Sequence, residues 1–278
     1  MRQLADKLFK WSALCAAMAI MALLGYILFH IIRRGLPAMS LDMLTRIPEG
    51  GFYLGKGGGV LNAIVGSIYL ILGATCISAL ISIPVVMYLN VILRKKSFFA
   101  RFSRLTFDVL FGIPSIVYGA FGFTVMIFFG LKASLLGGII AIAMLIMPIM
   151  IRALDEVALM VPNDLKEAVR SLGATNYETI KVVLQQLRPG ITTAILLAVG
   201  RGIGDAATVL FTAGYTDSIP TSLSSPAASL PLAIFFQLGS PVEEVQERAY
   251  ASALILTIII LILSFSARYF SRKFSKNL

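Results

Sequence analysis

Trp11–Ile32, Gly57–Leu93, Ala133–Ile151 and Ala249–Ala267 contain no Lys, Arg, Asp or Glu. About 20 mostly apolar residues in helical form cross the ~30 Å hydrocarbon core of a bilayer. Only a helix or a closed barrel satisfies its own backbone there, because lipid offers no hydrogen-bond partners. Phe107–Leu131 is a further run with one acid, Asp108, near its start, and Gly190–Ala213 is interrupted by Arg201 and Asp205. A water-soluble core of 278 residues cannot hide this much apolar surface. Charged residues make up 14% of the chain, against roughly 25% in soluble domains, and the mean hydropathy is +0.88. The expected fold class is an all-α polytopic membrane protein with six transmembrane helices.

An even number of spans puts both termini on one side. With the termini in the cytoplasm, the inner segments hold 17 Lys and Arg and the outer segments 6. The excess fits the bias of short inner loops toward positive charge. The net charge of +10 is thus a topology signal with some attraction to anionic lipid, and no nucleic-acid partner is expected. The expected location is a bacterial cytoplasmic membrane. Trp11–Ile32 is too long for a secretory signal and no small-residue cleavage site follows it before Arg33-Arg34, so it reads as a retained helix. Cys15 and Cys76 lie within apolar runs, and His30 is the single histidine. That leaves no disulfide framework, no metal-ligand spacing and no intramembrane nucleophile–base pair. Gly50, Gly55 and Lys56 have the spacing of a phosphate-gripping loop, but Gly57 stands where a hydroxyl must hold Mg²⁺. The stretch reads as a turn-rich external loop, and no cofactor is expected on this chain.

The long inner segment 152–188 has internal order. Pro162-Asn163-Asp164 predicts a helix start, with Asn163 as cap and Asp164 complementing the dipole. Leu165, Ala168, Val169 and Leu172 then share a face, and Gly173 is placed to end the helix in a left-handed cap. Thr175 and Glu178 have capping-box spacing for a second helix leading to Pro189 and the fifth span. A short helix held out this way suits a groove in another protein. Asp108 is expected at the inner interface, solvated or paired with Arg104, and Pro114 and Pro148 are expected to kink helices.

These residues carry a resemblance. Glu167-Ala168-Val169-Arg170-Ser171-Leu172-Gly173-Ala174 resembles the E-A-A-x-x-x-G motif of importer-type ABC permeases, with valine at the third place and Gln185-Gln186 where the motif's tail has Leu-Pro. Gly58–Ser67 and Gly112–Gly119 resemble the second and third spans of phosphate-specific permeases. Gly200–Ala207, with Leu210-Phe211-Thr212-Ala213-Gly214 and Ser229–Leu232, is similar to PstA-type subunits, with Asp205 standing where they have glutamate. The resemblance implies a MetI-like type I importer permease fold. Its parts are an N-terminal helix and external loop (1–56), a permease domain (57–268) containing the coupling loop 152–188, and a basic tail (269–278). Implied partners are a dimer of ATP-binding cassette ATPases carrying the ATP and Mg, a second homologous permease, and an extracytoplasmic phosphate-binding protein. The coupling residues would be Glu167, Ala168, Leu172, Gly173 and Ala174. The implied function is phosphate import without enzymatic activity of this chain. Another oxyanion (molybdate, tungstate or sulfate) and an ion channel are the alternatives.

Arg201 is about 11 residues into the fifth span, near mid-bilayer. An arginine there costs about 2.5–3.5 kcal/mol on insertion scales, so it faces protein or water. Asp205 is four residues on, and Gly200, Gly202 and Gly204 thin the helix around the pair. The pair reads either as an internal ion bridge or as a pathway guanidinium that grips a tetrahedral oxyanion and is moderated by Asp205. Thr208 and Thr212 would add hydroxyls along the same face.

Overall fold

A computed structural model describes residues 2–49, 57–93 and 97–275. The expectations for residues 50–56, the basic run 94–96 and the last three residues of the tail lie outside the described residues. Among the described residues five helices are long and apolar enough to cross a membrane, and a bent pair counted as one span brings the number to six.

The bundle is built on α3 (Leu61–Met87), α6 (Leu135–Met160) and α8 (Asn176–Ile203). Two of them, α3 and α6, run side by side in the same direction, and the Ser78 hydroxyl donates to the Ala143 carbonyl at 3.0 Å across their contact. Leu70, Ala74, Ile146, Met150, Leu154, Leu187 and Ala198 are buried among these three helices. Gly202 of α8 lets the backbones close, since a Cβ there would lie 2.7 Å from the Ile71 Cδ1. The long α1 (Arg2–Ala38) lies along α11 (Glu243–Ser275), touching it at Gly35, where a Cβ would meet the Tyr250 carbonyl oxygen at 2.6 Å. Short elements close one end of the bundle. They are α2 (Leu41–Thr45), the antiparallel pair β1 (Pro48–Glu49) and β2 (Gly57–Gly58), and α10 (Leu230–Leu238). Arg248 of α11 ties this end together by donating to the carbonyls of Gly57 and Gly58.

The third span departs from expectation. Phe107–Leu131 is not one helix: α4 (Phe98–Phe111) and α5 (Ser115–Phe128) meet at 99°. Pro114 has no N–H to continue the ladder and disfavours helical geometry at Ile113. The Leu110 carbonyl accepts from the Ile113 N–H at 3.1 Å and from the Tyr118 hydroxyl at 2.8 Å, so the break leaves that acceptor satisfied. Proline thus acts more strongly here than a kink. Pro148, in contrast, sits inside an unbroken α6.

The fifth span departs twice. Pro189 does not separate a surface helix from a span, because α8 runs through it without interruption for 28 residues, about 42 Å. The same helix then stops at Ile203, so Gly190–Ala213 is not a continuous span either. Beyond a non-helical stretch at 204–208 comes a single turn, α9 (Val209–Thr212). The loop after it returns to the end of the bundle where α6 starts, and there Leu135 and Leu136 donate backbone hydrogen bonds to Ser225 and Leu223 at 2.8 and 2.9 Å.

Gly66 of α3 lies against the segment before α10, and a Cβ there would be 2.0 Å from the Ala228 carbonyl oxygen. A backbone atom cannot rotate away. Gly66→Ala is expected to destabilise the bundle by about 1–3 kcal/mol, read as a lower thermal midpoint of the detergent-solubilised protein. Gly25→Ala, with nothing within 4 Å of its Cβ, should leave the midpoint unchanged or raise it.

Candidate functional site

The end of α8 is one site. Arg201 occupies its last turn and Gly202 packs against Ile71, Ile142 and Ile146. Those residues lie roughly 10–17 Å along α3 and α6 from their starts, so α8 ends inside the bundle rather than at its rim. The negative end of the helix dipole therefore sits at depth, and a cation in the last turn offsets it. Asp205 folds back beneath it. Its Oδ1 accepts from Arg201 Nη1 at 2.9 Å, and its Oδ2 accepts from the Thr208 N–H at 2.8 Å. The carboxylate thus holds both the arginine and the non-helical turn that leads into α9.

The two charges differ in access: the Arg201 side chain is 45% exposed and that of Asp205 4%. Among the described residues the guanidinium makes this one side-chain hydrogen bond, which leaves most of its donors uncommitted. Gly200 and Gly204 flank it, and a Cβ at either would meet nothing within 4 Å. The open space therefore lies beside the arginine, while Gly202 serves the closed side.

Thr208 and Thr212 are not brought to that open face. Both are fully buried. The Thr208 hydroxyl donates to the Ser115 carbonyl at 3.2 Å and that of Thr212 to the Thr208 carbonyl at 2.9 Å. The expectation of a shared face assumed a helix continuing past Ile203. With the helix ended, these hydroxyls fasten α9 and the start of α5. Gly119 allows the close approach, since a Cβ there would be 2.8 Å from the Ala207 carbonyl oxygen.

A second site lies at the other end of α8. The short helix α7 (Asn163–Ser171) is followed by Gly173 at φ +82°. The Gly173 N–H donates to Arg170 and the Ala174 N–H to Val169, the paired bonds of a Schellman ending. The left-handed cap is as expected, but Asn163 is not the N-cap. Pro162 holds that place, without a side-chain bond, because Asn163 already has helical geometry. The Thr175–Glu178 box forms in full: Glu178 Oε2 accepts from the Thr175 N–H at 2.7 Å, and Thr175 Oγ1 accepts from the Glu178 N–H at 3.4 Å. Leu165 and Val169 turn inward. Glu167, Ala168, Leu172 and Gly173 are exposed, with Leu172 88% open, and Ala174 is half-buried.

One cluster went unseen in the sequence. A π turn, Tyr88–Ile92, ends α3. Its Asn90 donates to Asp155 Oδ1 at 2.6 Å, and Arg104 Nε donates to Asp155 Oδ2 at 2.7 Å. Arg104 thus serves Asp155, and Asp108 pairs instead with Arg152 of α6. The available signal was a polar residue inside an apolar run, Asn90 in Gly57–Leu93, with an acid, Asp155, one turn past the run Ala133–Ile151.

A membrane bundle that breaks its backbone around a charge at depth, and holds out a capped helix at one end, has the build of a transport permease. Residues 81–276 match the family described as binding-protein-dependent transport system inner membrane component, and the chain belongs to that family. It is 34% identical over 279 residues to the phosphate transport system permease protein PstA of Pasteurella multocida, covering 99% of this chain and 97% of that one. The PstA protein of Yersinia pestis is 37% identical over 244 residues, covering 87% and 82%. The fold is similar to an inward-facing structure of the MetNI methionine ABC transporter, with TM-score 0.64 and 18% identity over 77% of this chain and 95% of that one.

Asp205→Ala should free the 204–212 segment. In a background without Cys15 and Cys76, Thr208→Cys is expected to be inert to an aqueous maleimide with Asp205 present and reactive with it replaced. Equal inertness in both would mean that the carboxylate does not hold the turn.

Proposed function

We propose that this chain is the membrane-spanning permease subunit of an ATP-driven importer of inorganic phosphate. The observation that carries the reading is the near end-to-end match to phosphate transport permeases, supported by a guanidinium with free donors beside open space at a helix break. Arg201 would contact the tetrahedral anion through its uncommitted donors. Asp205 would fix the arginine's position and lower its net attraction, so that the anion is released rather than trapped. Thr208 and Thr212 would contribute by holding the turn.

Both termini and α7 face the cytoplasm in this reading, as the distribution of Lys and Arg favours. The exposed Glu167, Ala168, Leu172 and Gly173, with Ala174 at their edge, would seat against an ATPase subunit. ATP and Mg would be handled there. Two ATPase subunits, a second homologous permease and an external phosphate-binding protein complete the assembly. Closure of the ATPases on nucleotide would drive α7 and switch the bundle between inward-open and outward-open forms.

Arg201→Gln is expected to abolish uptake of radiolabelled phosphate into vesicles holding the reconstituted complex, while the ATPase still co-purifies. Arsenate should compete in the parent, and molybdate and sulfate should not. Normal uptake by the variant would reduce the pair to a structural ion bridge. Gly173→Val forces a β-branched residue into the left-handed region. It should weaken co-purification of the ATPase about tenfold, the effect of losing roughly 1.4 kcal/mol of docking energy, with membrane insertion unaffected.

A further inference from the structure

Two basic side chains of α7 bind the turn that ends α3. Lys166 of α7 is buried, and its Nζ donates to the Asn90 carbonyl at 3.2 Å. Arg170, one turn on, donates to the Val91 carbonyl at 2.6 Å. Both cations therefore grip carbonyls of the π turn that ends α3, where the helix dipole is negative. The side chain of the same Asn90 reaches the other way. Its Nδ2 donates to Asp155 of α6 at 2.6 Å and to the Val86 carbonyl at 3.0 Å, and its Oδ1 accepts from Arg104 of α4 at 3.3 Å. Arg104 closes the figure with bonds of 2.7 and 3.1 Å to the two Asp155 oxygens.

Asn90 and Asp155 are 5% and 8% exposed. Removing one member leaves a buried charge or amide without its partner, so the cluster has one low-energy arrangement and resists shear. A displacement of α7 thus cannot reach α3 without also pulling α4 and α6. π turns, for their part, recur at functional positions in helices.

We infer that Asn90 is the junction that makes α7, the inner end of α3, α4 and α6 a single lever, so that force delivered to α7 turns these four elements together. The inference rests on the reading of α7 as the ATPase-docking helix. Asn90, Asp155 and Arg104 are positioning residues, acting on the transport route through the helices they join.

The test is made on the complex of the chain with its co-purifying ATPase in lipid vesicles, with Cys15 and Cys76 replaced. Spin labels at Asn163→Cys on α7 and Thr106→Cys on α4, both exposed positions, report their separation with and without ATP–vanadate. A second pair, Asn163→Cys with Ser218→Cys at the opposite end, reports motion of the lever against the rim. The expected result is a fixed α7–α4 separation and a changing α7–rim separation. Asn90→Ala should make the α7–α4 separation depend on nucleotide, and should reduce phosphate moved per ATP about tenfold, within the usual range of coupling between sites. A nucleotide-dependent change above about 2 Å in the parent α7–α4 pair, the size of a helix shift at an interface, overturns the inference. So does an Asn90→Ala complex that keeps both the fixed separation and the parental ratio.

Arg104→Ala is the second variant if Asn90→Ala does not assemble, because it cuts only the α4 branch. The Asn163–Thr106 separation should then vary with nucleotide while Asn163→Cys to Leu159→Cys on α6 stays constant. Both separations staying constant overturns the junction. The distances do not depend on which anion is carried, so a parent complex that traps nucleotide and moves no phosphate removes the substrate assignment alone. A chain that recovers no ATPase removes the docking reading and this inference with it.

Discussion

Backbone amides in hydrocarbon have no water to turn to, and that constraint decides where this bundle can be irregular. Each interruption of a helix is paired with a local donor or acceptor. At the bend between α4 and α5, the Leu110 carbonyl accepts from the Ile113 N–H and the Tyr118 hydroxyl. Past the end of α8, Asp205 receives the Thr208 N–H and the Thr208 hydroxyl serves the Ser115 carbonyl. The last of these bonds joins the breaks to each other, since Ser115 opens α5 just after the first bend. The two breaks thus meet in a patch of mutually satisfied groups next to Arg201. Lipid-exposed breaks would leave the same groups unpaired, at several kcal/mol each.

The two ends of α8 serve different purposes. Its first turn is locked by the Thr175–Glu178 box beside the exposed α7, and its last turn carries Arg201 against open space. One unbroken rod of 28 residues therefore connects the α7 end to the charge inside the bundle. Pro189 would have been a natural place for a hinge, and the helix runs through it instead. Stiffness along α8 means that a tilt at one end is delivered at the other.

Much of this was legible in the sequence because its causes are local. Charge-free runs gave the passes, Gly173 announced a left-handed ending, and Thr175 with Glu178 announced a cap. The span errors share a different cause. Hydropathy counts apolar residues and cannot tell a straight helix from two short ones, so Phe107–Leu131 and Gly190–Ala213 both read as single rods. Gly112-Ile113-Pro114 and Gly202-Ile203-Gly204-Asp205 held the relevant signal, but whether such a stretch breaks depends on partners such as Tyr118 and Thr208 that only tertiary structure supplies. The Asn90–Asp155–Arg104 cluster was invisible for the same reason, since its members are far apart in the chain and meet through the register of α3 on α6. The Arg201–Asp205 contact was found on a helical spacing that does not hold past Ile203. It survives because the turn that replaces the helix brings the carboxylate back to the same arginine.

The π turn at the foot of α3 sets the phase between the two halves of that helix. Such a turn holds one residue more than the α-helical turn it replaces, and each residue of an ordinary helix advances the direction by about 100°. The first half of α3 is pinned by Ser67, whose hydroxyl oxygen accepts from the Leu230 N–H at 2.8 Å, and the far end by Asn90. Excising a single residue between them would swing the amide away from Asp155 by more than a quarter of a revolution. Chain length along this stretch is therefore as tightly specified as composition, and a one-residue gap there would cost more than many substitutions on the lipid side.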